Sequence, residues 1–189
     1  MNIREIKNKV YAILDVPPFS DERALFSAID SAARKIAVYT RCIRKNEKLE
    51  FSGENGIFSA ALPTDFAVFG YVRRGARVWN REYFEIAGGK IKSTALSGGE
   101  YELCYFAYPL SVSEEVPEDT ELFADAYACD AVAYGAAMEL CESVYSSDVQ
   151  KYMRIATEYD ERMANMISSA VSAARVANGF FGRIRGIFI

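Results

Sequence analysis

The side chains that most often carry out protein chemistry are poorly represented in this chain. It contains no histidine, so a Ser-His-Asp triad is impossible and a cysteine nucleophile would lack its usual imidazole partner. None of the cysteines forms a Cys-x-x-Cys pair, and without histidine they do not complete a zinc site. We expect buried thiols at Cys42, Cys104, Cys129 and Cys141. The sequence therefore predicts a protein that is not an enzyme, with no catalytic residue, metal or cofactor.

Paired carboxylates are the remaining candidates for acid–base or calcium chemistry. Glu100 and Glu102 share one face of a predicted strand. Five more acids cluster before a predicted helix: Glu114, Glu115, Glu118, Asp119 and Glu121. Their spacing matches no EF-hand loop, and the helix dipole by itself favours acids at a helix start. We interpret both groups as structural rather than catalytic.

Four arginines in the middle of the chain are candidates for contact with nucleic acid or with a neighbouring subunit: Arg73, Arg74, Arg77 and Arg81. They alternate with Tyr71 and Trp79, so phosphate contacts and base stacking are both conceivable. The alternative is a solvated hairpin rim. The net charge of -4 argues against a dedicated nucleic-acid-binding protein.

The last twelve residues, 178–189, form an apolar and basic segment that contains three glycines. Burial of each large apolar side chain is worth about 1.5–3 kcal/mol, so we expect this tail to dock on another surface. Its predicted docking residues are Phe180, Phe181, Arg183, Ile184, Arg185, Ile187, Phe188 and Ile189. Three alternatives stay open: an extended arm in a partner subunit, a contact with an anionic membrane, or a tail folded on its own core.

Charge is distributed unevenly along the chain. Residues 1–92 carry a balance of +5, residues 93–150 have twelve acids and no Lys or Arg, and residues 151–189 carry +3. Solvated faces and acidic helix starts explain part of this pattern. A head-to-tail contact, in which the acidic flank of one copy meets the basic flank of the next, is the more specific interpretation.

The spacing of apolar residues changes twice along the chain, and this spacing predicts the helices and strands that position the candidate residues. Apolar residues recur at helical spacing in residues 1–46, which predicts two N-terminal helices. Turn signals every eight to twelve residues predict an antiparallel β insertion over residues 47–112. Residues 117–177 return to helical spacing and predict a long helical hairpin, and residues 178–189 form the tail. The predicted fold is α+β, a single domain over residues 1–189 that is mainly an α-helical bundle.

This layout resembles the head–tail connector proteins, also called adaptor or neck proteins, of tailed bacteriophages and prophages. The resemblance rests on the two N-terminal helices, on Leu62-Pro-Thr-Asp-Phe66 at the opening of the β insertion, and on Tyr105-Phe-Ala-Tyr-Pro109. It continues with an acidic linker containing Pro117 and an Ala/Tyr-rich helix that begins Glu121-Leu-Phe. A final helix rich in Tyr and Met completes it, so that it covers most of the chain.

The resemblance implies a structural role in the virion. Such proteins form a ring beneath the portal, extend the DNA channel and present a surface to tail components, and their C-terminal segments often grip the portal. It implies a homo-oligomeric ring and leaves open whether the protein makes non-specific DNA contact in the channel. No apolar run approaches 18 residues, so we expect no membrane partner. Assembly would occur in the host cytoplasm, and the protein would remain in the virion. The alternatives are another phage tail-completion protein, or a peripheral membrane or protein-interaction module that uses the tail.

Overall fold

The computed structural model describes residues 1–124, 126–143 and 165, and the chain divides into two compact units. Residues 43–108 form one unit, and the residues before and after them form the other. The helices are α1 (Ile3–Leu14), α2 (Arg23–Thr40) and α3 (Ala126–Ser143). The strands are β1 (Arg44–Glu54), β2 (Ile57–Ala61), β3 (Phe66–Arg74), β4 (Arg77–Trp79), β5 (Glu85–Ala87), β6 (Lys90–Ser93) and β7 (Gly99–Ala107), with a short 3₁₀ helix at Arg81–Tyr83.

The first helix of the helical unit is closed at both ends by local interactions. The Asn2 side chain accepts a hydrogen bond from the Glu5 amide, and the Glu5 carboxylate accepts one from the Asn2 amide, which completes a capping box. The helix ends at Asp15, which adopts the left-handed conformation. Two backbone amides in the first turn of α1, which have no acceptor within the helix, donate to a loop distant in sequence. Ile3 donates to the Thr120 carbonyl and Arg4 to the Glu118 carbonyl.

Helix α3 lies against both α1 and α2 and is buried along several of its sides. Most of its buried positions are small residues: Ala128, Cys129, Ala131, Ala133, Gly135, Ala136 and Ala137. Small side chains let neighbouring helices approach closely, and the bulk that fills the core comes from the partners. Helix α1 contributes Ile3, Ile6 and Val10, and α2 contributes apolar residues at the same kind of spacing.

The other unit is a seven-stranded sheet in the order β4-β3-β7-β1-β2-β6-β5, in which every neighbouring pair is antiparallel. If it were flat, its two edge strands would lie roughly 29 Å apart at about 4.8 Å per strand. The chain from Trp79 at one edge to Glu85 at the other spans at most about 22 Å. The sheet therefore has to curl, and it forms a half-barrel.

The concave face of this half-barrel holds a core of aromatic and aliphatic side chains. Strand β7 contributes every second residue from Tyr101 to Ala107, namely Tyr101, Leu103, Tyr105 and Ala107, because successive side chains of a strand point to opposite faces. The rest of the core comes from the neighbouring strands and connections: Leu49, Phe51, Ala60, Val72, Trp79, Phe84, Ile91 and Leu96.

Glycines occupy two positions of the sheet unit that disfavour a side chain, one because of a close contact and one because of a positive φ. A register irregularity in β3 falls between Phe69 and Tyr71, so it places Gly70 at a bulge against β7. A Cβ atom there would lie 2.6 Å from the Cys104 carbonyl oxygen. The β1–β2 hairpin turns at Asn55-Gly56, where both residues have positive φ, as a type I′ turn requires.

The prediction of a mainly α-helical bundle with a C-terminal helical hairpin is wrong. Among the described residues, helices and strands take nearly equal shares, and the sheet has a core of its own. The predicted helical region 1–46 also extends too far, because α2 ends at Thr40 and β1 already begins at Arg44. Helix α3 occupies the first half of the predicted hairpin. Its second arm, within residues 144–177, lies outside the described residues apart from Asn165.

We predict that Gly70→Ala lowers the free energy of unfolding of the sheet unit by about 1–3 kcal/mol, because the added methyl group meets backbone atoms that cannot turn away. Gly98→Ala is the matched control, since a Cβ atom there has no neighbour closer than 3.5 Å, and it is expected to change the free energy by less than about 0.5 kcal/mol. Trp79, the one tryptophan of the chain, lies in this unit, so its fluorescence during urea unfolding measures both variants. Equal stability of the two variants would contradict the close approach.

Candidate functional site

The candidate site residues of the C-terminal tail, from Phe180 to Ile189, lie outside the described residues. The four candidate arginines are all described, and they do not form one patch. Strand β3 places Arg73 and Arg74 on opposite faces of the sheet, because successive side chains alternate. The predicted cluster therefore divides into residues with different environments.

Arg73 lies on the convex face and is neutralised within the sheet. It lies directly opposite Glu102 on β7 and forms a bidentate ion pair with it, with Arg73 Nη2 2.8 Å from Glu102 Oε1 and Arg73 Nε 3.0 Å from Glu102 Oε2. On the same face, Arg44 donates to the Tyr71 hydroxyl at 3.0 Å and to the Cys104 thiol at 3.1 Å. The Tyr71 hydroxyl is thus already hydrogen-bonded to an arginine of its own sheet.

Arg74 and Arg77 lie together on the concave side, where they form a pair across the β3–β4 hairpin. The Arg74 guanidinium carbon lies 5.1 Å from the centre of the Tyr101 ring, and that of Arg77 lies 4.8 Å from the Trp79 ring. The two rings pack edge to face at 5.6 Å and are both buried. We call these four residues the arginine–aromatic cluster. Because the rings are buried, Trp79 does not present a free face to a nucleic-acid base.

The Tyr101 hydroxyl links this cluster to the following loop. It accepts a hydrogen bond from the Ser97 amide at 3.2 Å and lies 3.5 Å from Arg74 Nη1. Burial raises the pKa of Tyr101, but the hydrogen bonds from Ser97 and Arg74 and the charge of Arg74 outweigh burial, and the pKa lies below its usual value. Neither Tyr101 nor Ser97 was among the predicted site residues. The alternation of buried residues along β7 was the only signal for Tyr101.

Arg81 is separate from the cluster. It lies in the 3₁₀ helix that leads from one sheet edge to the other, is exposed, and donates to the carbonyl oxygen of Phe84. That bond holds the connection in a turn, while the Phe84 ring packs into the core against Phe51 and Phe69. The contact seen at Arg81 is thus local and structural.

The two sequence motifs that carry the connector resemblance contact each other in the sheet unit. Tyr105 donates a hydrogen bond to Asp65 Oδ1 at 2.9 Å, and its ring stacks on Phe66 with 5.8 Å between centroids. The Tyr108 amide donates to the Asp65 carbonyl at 2.8 Å, and Lys45 Nζ lies 2.5 Å from Asp65 Oδ2. These contacts line an open cavity of about 560 Å³ at the start of β3.

The same contacts set the ionisation of both partners. Burial raises the pKa of Asp65, but hydrogen bonds from Lys45 and Tyr105 outweigh it, so the carboxyl has a pKa below its usual value. Burial and the neighbouring carboxylates raise the pKa of Tyr105 well above 10. Asp65 is therefore a charged anchor and Tyr105 a neutral donor, which is a structural arrangement rather than an acid–base pair.

The helical unit contains one lysine that is almost fully buried. Lys7 Nζ lies 2.5 Å from Glu22 and 2.5 Å from Glu118, and 5.0 Å from the centre of the Phe26 ring. Burial lowers the pKa of Lys7, but its hydrogen bonds to the two glutamates outweigh burial and raise it. Hydrogen bonds from Lys7 and Arg4 lower the pKa of Glu118. These ion pairs fasten the acidic loop that was predicted to be structural.

Chemistry beyond these ion pairs is not apparent in the described part of the chain. Residues 1–124 and 126–143 contain no group of three or more Cys, Asp or Glu side chains that could hold a metal ion. Cys104 and Cys129 are buried, as predicted, whereas Cys42 is exposed and contradicts that prediction. No described helix is both long enough and apolar enough to cross a membrane.

Comparison with known proteins gives no further assignment. No protein-family model matches the chain, and a search of curated protein sequences also finds no match. The connector resemblance therefore rests on the motifs and on the order of elements.

We predict that Tyr105→Phe destabilises the sheet unit by about 1–2 kcal/mol, because Asp65 stays charged and loses a buried donor. The control is Tyr83→Phe, which removes the hydroxyl of a half-exposed tyrosine in the same unit and should change little. Urea unfolding followed by Trp79 fluorescence measures both. If the two variants were equally stable, the contact between the motifs would not anchor the sheet.

We predict that Glu118→Gln destabilises the helical unit by about 1–2 kcal/mol at pH 7. The pKa of Glu118 is lowered in the folded state, so its contribution is present above the ordinary pKa of 4.5 and is lost as the pH falls below that value. The difference between the native protein and the variant should therefore shrink towards pH 3. Unfolding followed by circular dichroism at 222 nm tests this.

The control for that experiment is Glu139→Gln, in the same unit. Glu139 forms a longer and more exposed ion pair with Lys35, at 3.4 Å, and is expected to contribute less than about 1 kcal/mol at any pH. A difference for Glu118→Gln that stayed constant from pH 7 to pH 3 would show that the charge of Glu118 is not the stabilising factor.

Proposed function

We propose that the protein is a structural head–tail connector subunit of a phage or prophage virion. It docks to the portal, joins a ring of identical subunits and extends the DNA channel towards the tail components. The observation that carries this proposal is the arrangement of its elements: two N-terminal helices, a compact sheet unit from Ile43 to Tyr108, and then helix α3. This is the order of elements on which the resemblance to connector proteins rests.

The use of the ionisable groups also supports a structural role. The most buried charged side chain in the described residues, Lys7, is held by two glutamates. Asp65 is held by Lys45 and Tyr105, and Arg73 by Glu102. Each of these groups has its partner within its own unit and is committed to holding strands or loops in place. Such groups stabilise a subunit and leave its surface for contacts with other proteins.

The acidic segment before α3 supports contacts between subunits. Four of its carboxylates are exposed in this subunit: Glu114, Glu115, Asp119 and Glu121. No Lys or Arg occurs between residues 93 and 150, so this flank attracts a basic surface. A contact between unlike surfaces of identical copies is heterologous, and it closes into a ring when its rotation allows.

We predict that deletion of residues 179–189 leaves a folded protein that no longer binds the portal. The truncation spares every described buried residue, all of which lie between residues 3 and 140. The apolar tail is the segment that we expect to fill pockets on the portal. Multi-angle light scattering of the full-length and truncated proteins, each alone and mixed with the portal protein of the same genome, measures the complex.

Two controls make the result specific. Arg183→Gln with Arg185→Gln keeps the apolar side chains and separates charge from burial as the source of binding. Circular dichroism and Trp79 fluorescence establish that the truncated protein is folded. Absence of portal binding by the full-length protein would contradict the proposed function, and loss of folding on truncation would show that the tail belongs to the core.

A further inference from the structure

The arginine–aromatic cluster contains a pairing that costs stability in the free protein. Arg74 and Arg77 are directly opposite each other across the β3–β4 hairpin. Side chains in such positions have Cβ atoms about 4.5–5.5 Å apart, and like charges there are destabilising. Both side chains are exposed, and neither forms an ion pair with any described carboxylate. Within the described residues their positive charges are therefore not neutralised, in contrast to that of Arg73.

The two guanidinium groups contact aromatic rings that are buried in the core of the sheet unit. Trp79 is 6% exposed and Tyr101 is 3% exposed, and each has an arginine within about 5 Å of its centre. Contact with a ring occupies one face of a guanidinium group and leaves its N–H donors at the edge. Arg77 makes no side-chain hydrogen bond in the described residues, and Arg74 makes one, to the Tyr101 hydroxyl at 3.5 Å.

No described residue fills the space at the tip of the hairpin. A Cβ atom placed on Gly75, the turn residue between the two arginines, would meet no atom within 4 Å. Most donors of the pair are thus unused within the described part of the chain, and no described atom obstructs a ligand at the turn. Two planar donor forks with a combined charge of +2 match a group with several anionic oxygens, and phosphoryl oxygens match this geometry well.

We propose that Arg74 and Arg77 form a phosphate-binding clamp for the backbone of nucleic acid. The clamp contacts backbone oxygens and not bases, because the Trp79 and Tyr101 rings are buried and already covered by the arginines. Binding is therefore expected to be independent of sequence and dependent on salt. The proposal stands on the sheet unit alone and does not require the connector role.

The test compares binding of a fluorescein-labelled DNA duplex of 25 base pairs to the full-length protein and to the Arg74→Gln/Arg77→Gln variant, by fluorescence anisotropy. We expect the variant to bind at least roughly tenfold more weakly at low salt, with a slope of log affinity against log salt that is shallower by about 2. The matched control is Lys90→Gln/Lys92→Gln, which removes two positive charges from the same unit outside the clamp. Equal affinity of the two double variants would overturn the proposal.

Three further measurements decide the identity of the ligand. Trp79 lies under Arg77, so its emission reports occupation of the clamp, and its urea midpoint verifies folding of each variant. A Trp79 response to the duplex that Arg74→Lys/Arg77→Lys weakens would support bidentate recognition, because lysine keeps the charge but not the planar fork. A response to pyrophosphate as well would show that an isolated phosphoryl group suffices. A response to a poly-glutamate peptide but not to the duplex would overturn the proposal and assign the clamp to an acidic protein segment.

Discussion

The antiparallel pairing of β7 with both β1 and β3 is the constraint on which the sheet unit depends. Strand β7 pairs with β1 from Gly99 to Phe106 and with β3 from Glu102 to Ala107, and these partners precede it by about 55 and about 35 residues. Its inward side chains build the aromatic core, and its outward Glu102 neutralises Arg73. Between β4 and β5 the chain crosses from one sheet edge to the other within a few residues, and this short connection requires the sheet to curl.

The motif residues that suggested a family have a physical role in that sheet. Asp65 and Phe66 meet Tyr105 at the start of β3, and the Asp65 carbonyl receives the Tyr108 amide. The two motifs therefore close the sheet unit near the point where the chain leaves it. A role in folding gives these residues a reason to occur together that does not depend on any particular partner.

The four arginines of one sequence cluster lie in three different environments. Arg73 is paired with a carboxylate, Arg81 fastens a turn, and Arg74 and Arg77 are stacked on rings without a counter-charge. Stacking orders a guanidinium group without neutralising it, whereas an ion pair does both. Only the stacked pair keeps its charge for a ligand, and this difference separates a binding surface from a structural one.

The sequence by itself determined the features that depend on neighbouring residues: the spacing that forms α1, the Asn55-Gly56 turn, and the absence of histidine that removes much of ordinary acid–base chemistry. It did not reveal where β1 begins, because five of the seven residues from Arg44 to Glu50 are charged and this segment is a strand only through its pairing with β7. Tertiary structure also decided which of Arg73 and Arg74 lies on the core side of the sheet. It decided as well that Tyr101 is buried beneath Arg74. Pairings between segments more than 25 residues apart depend on the whole curled sheet, and no local pattern contains that information.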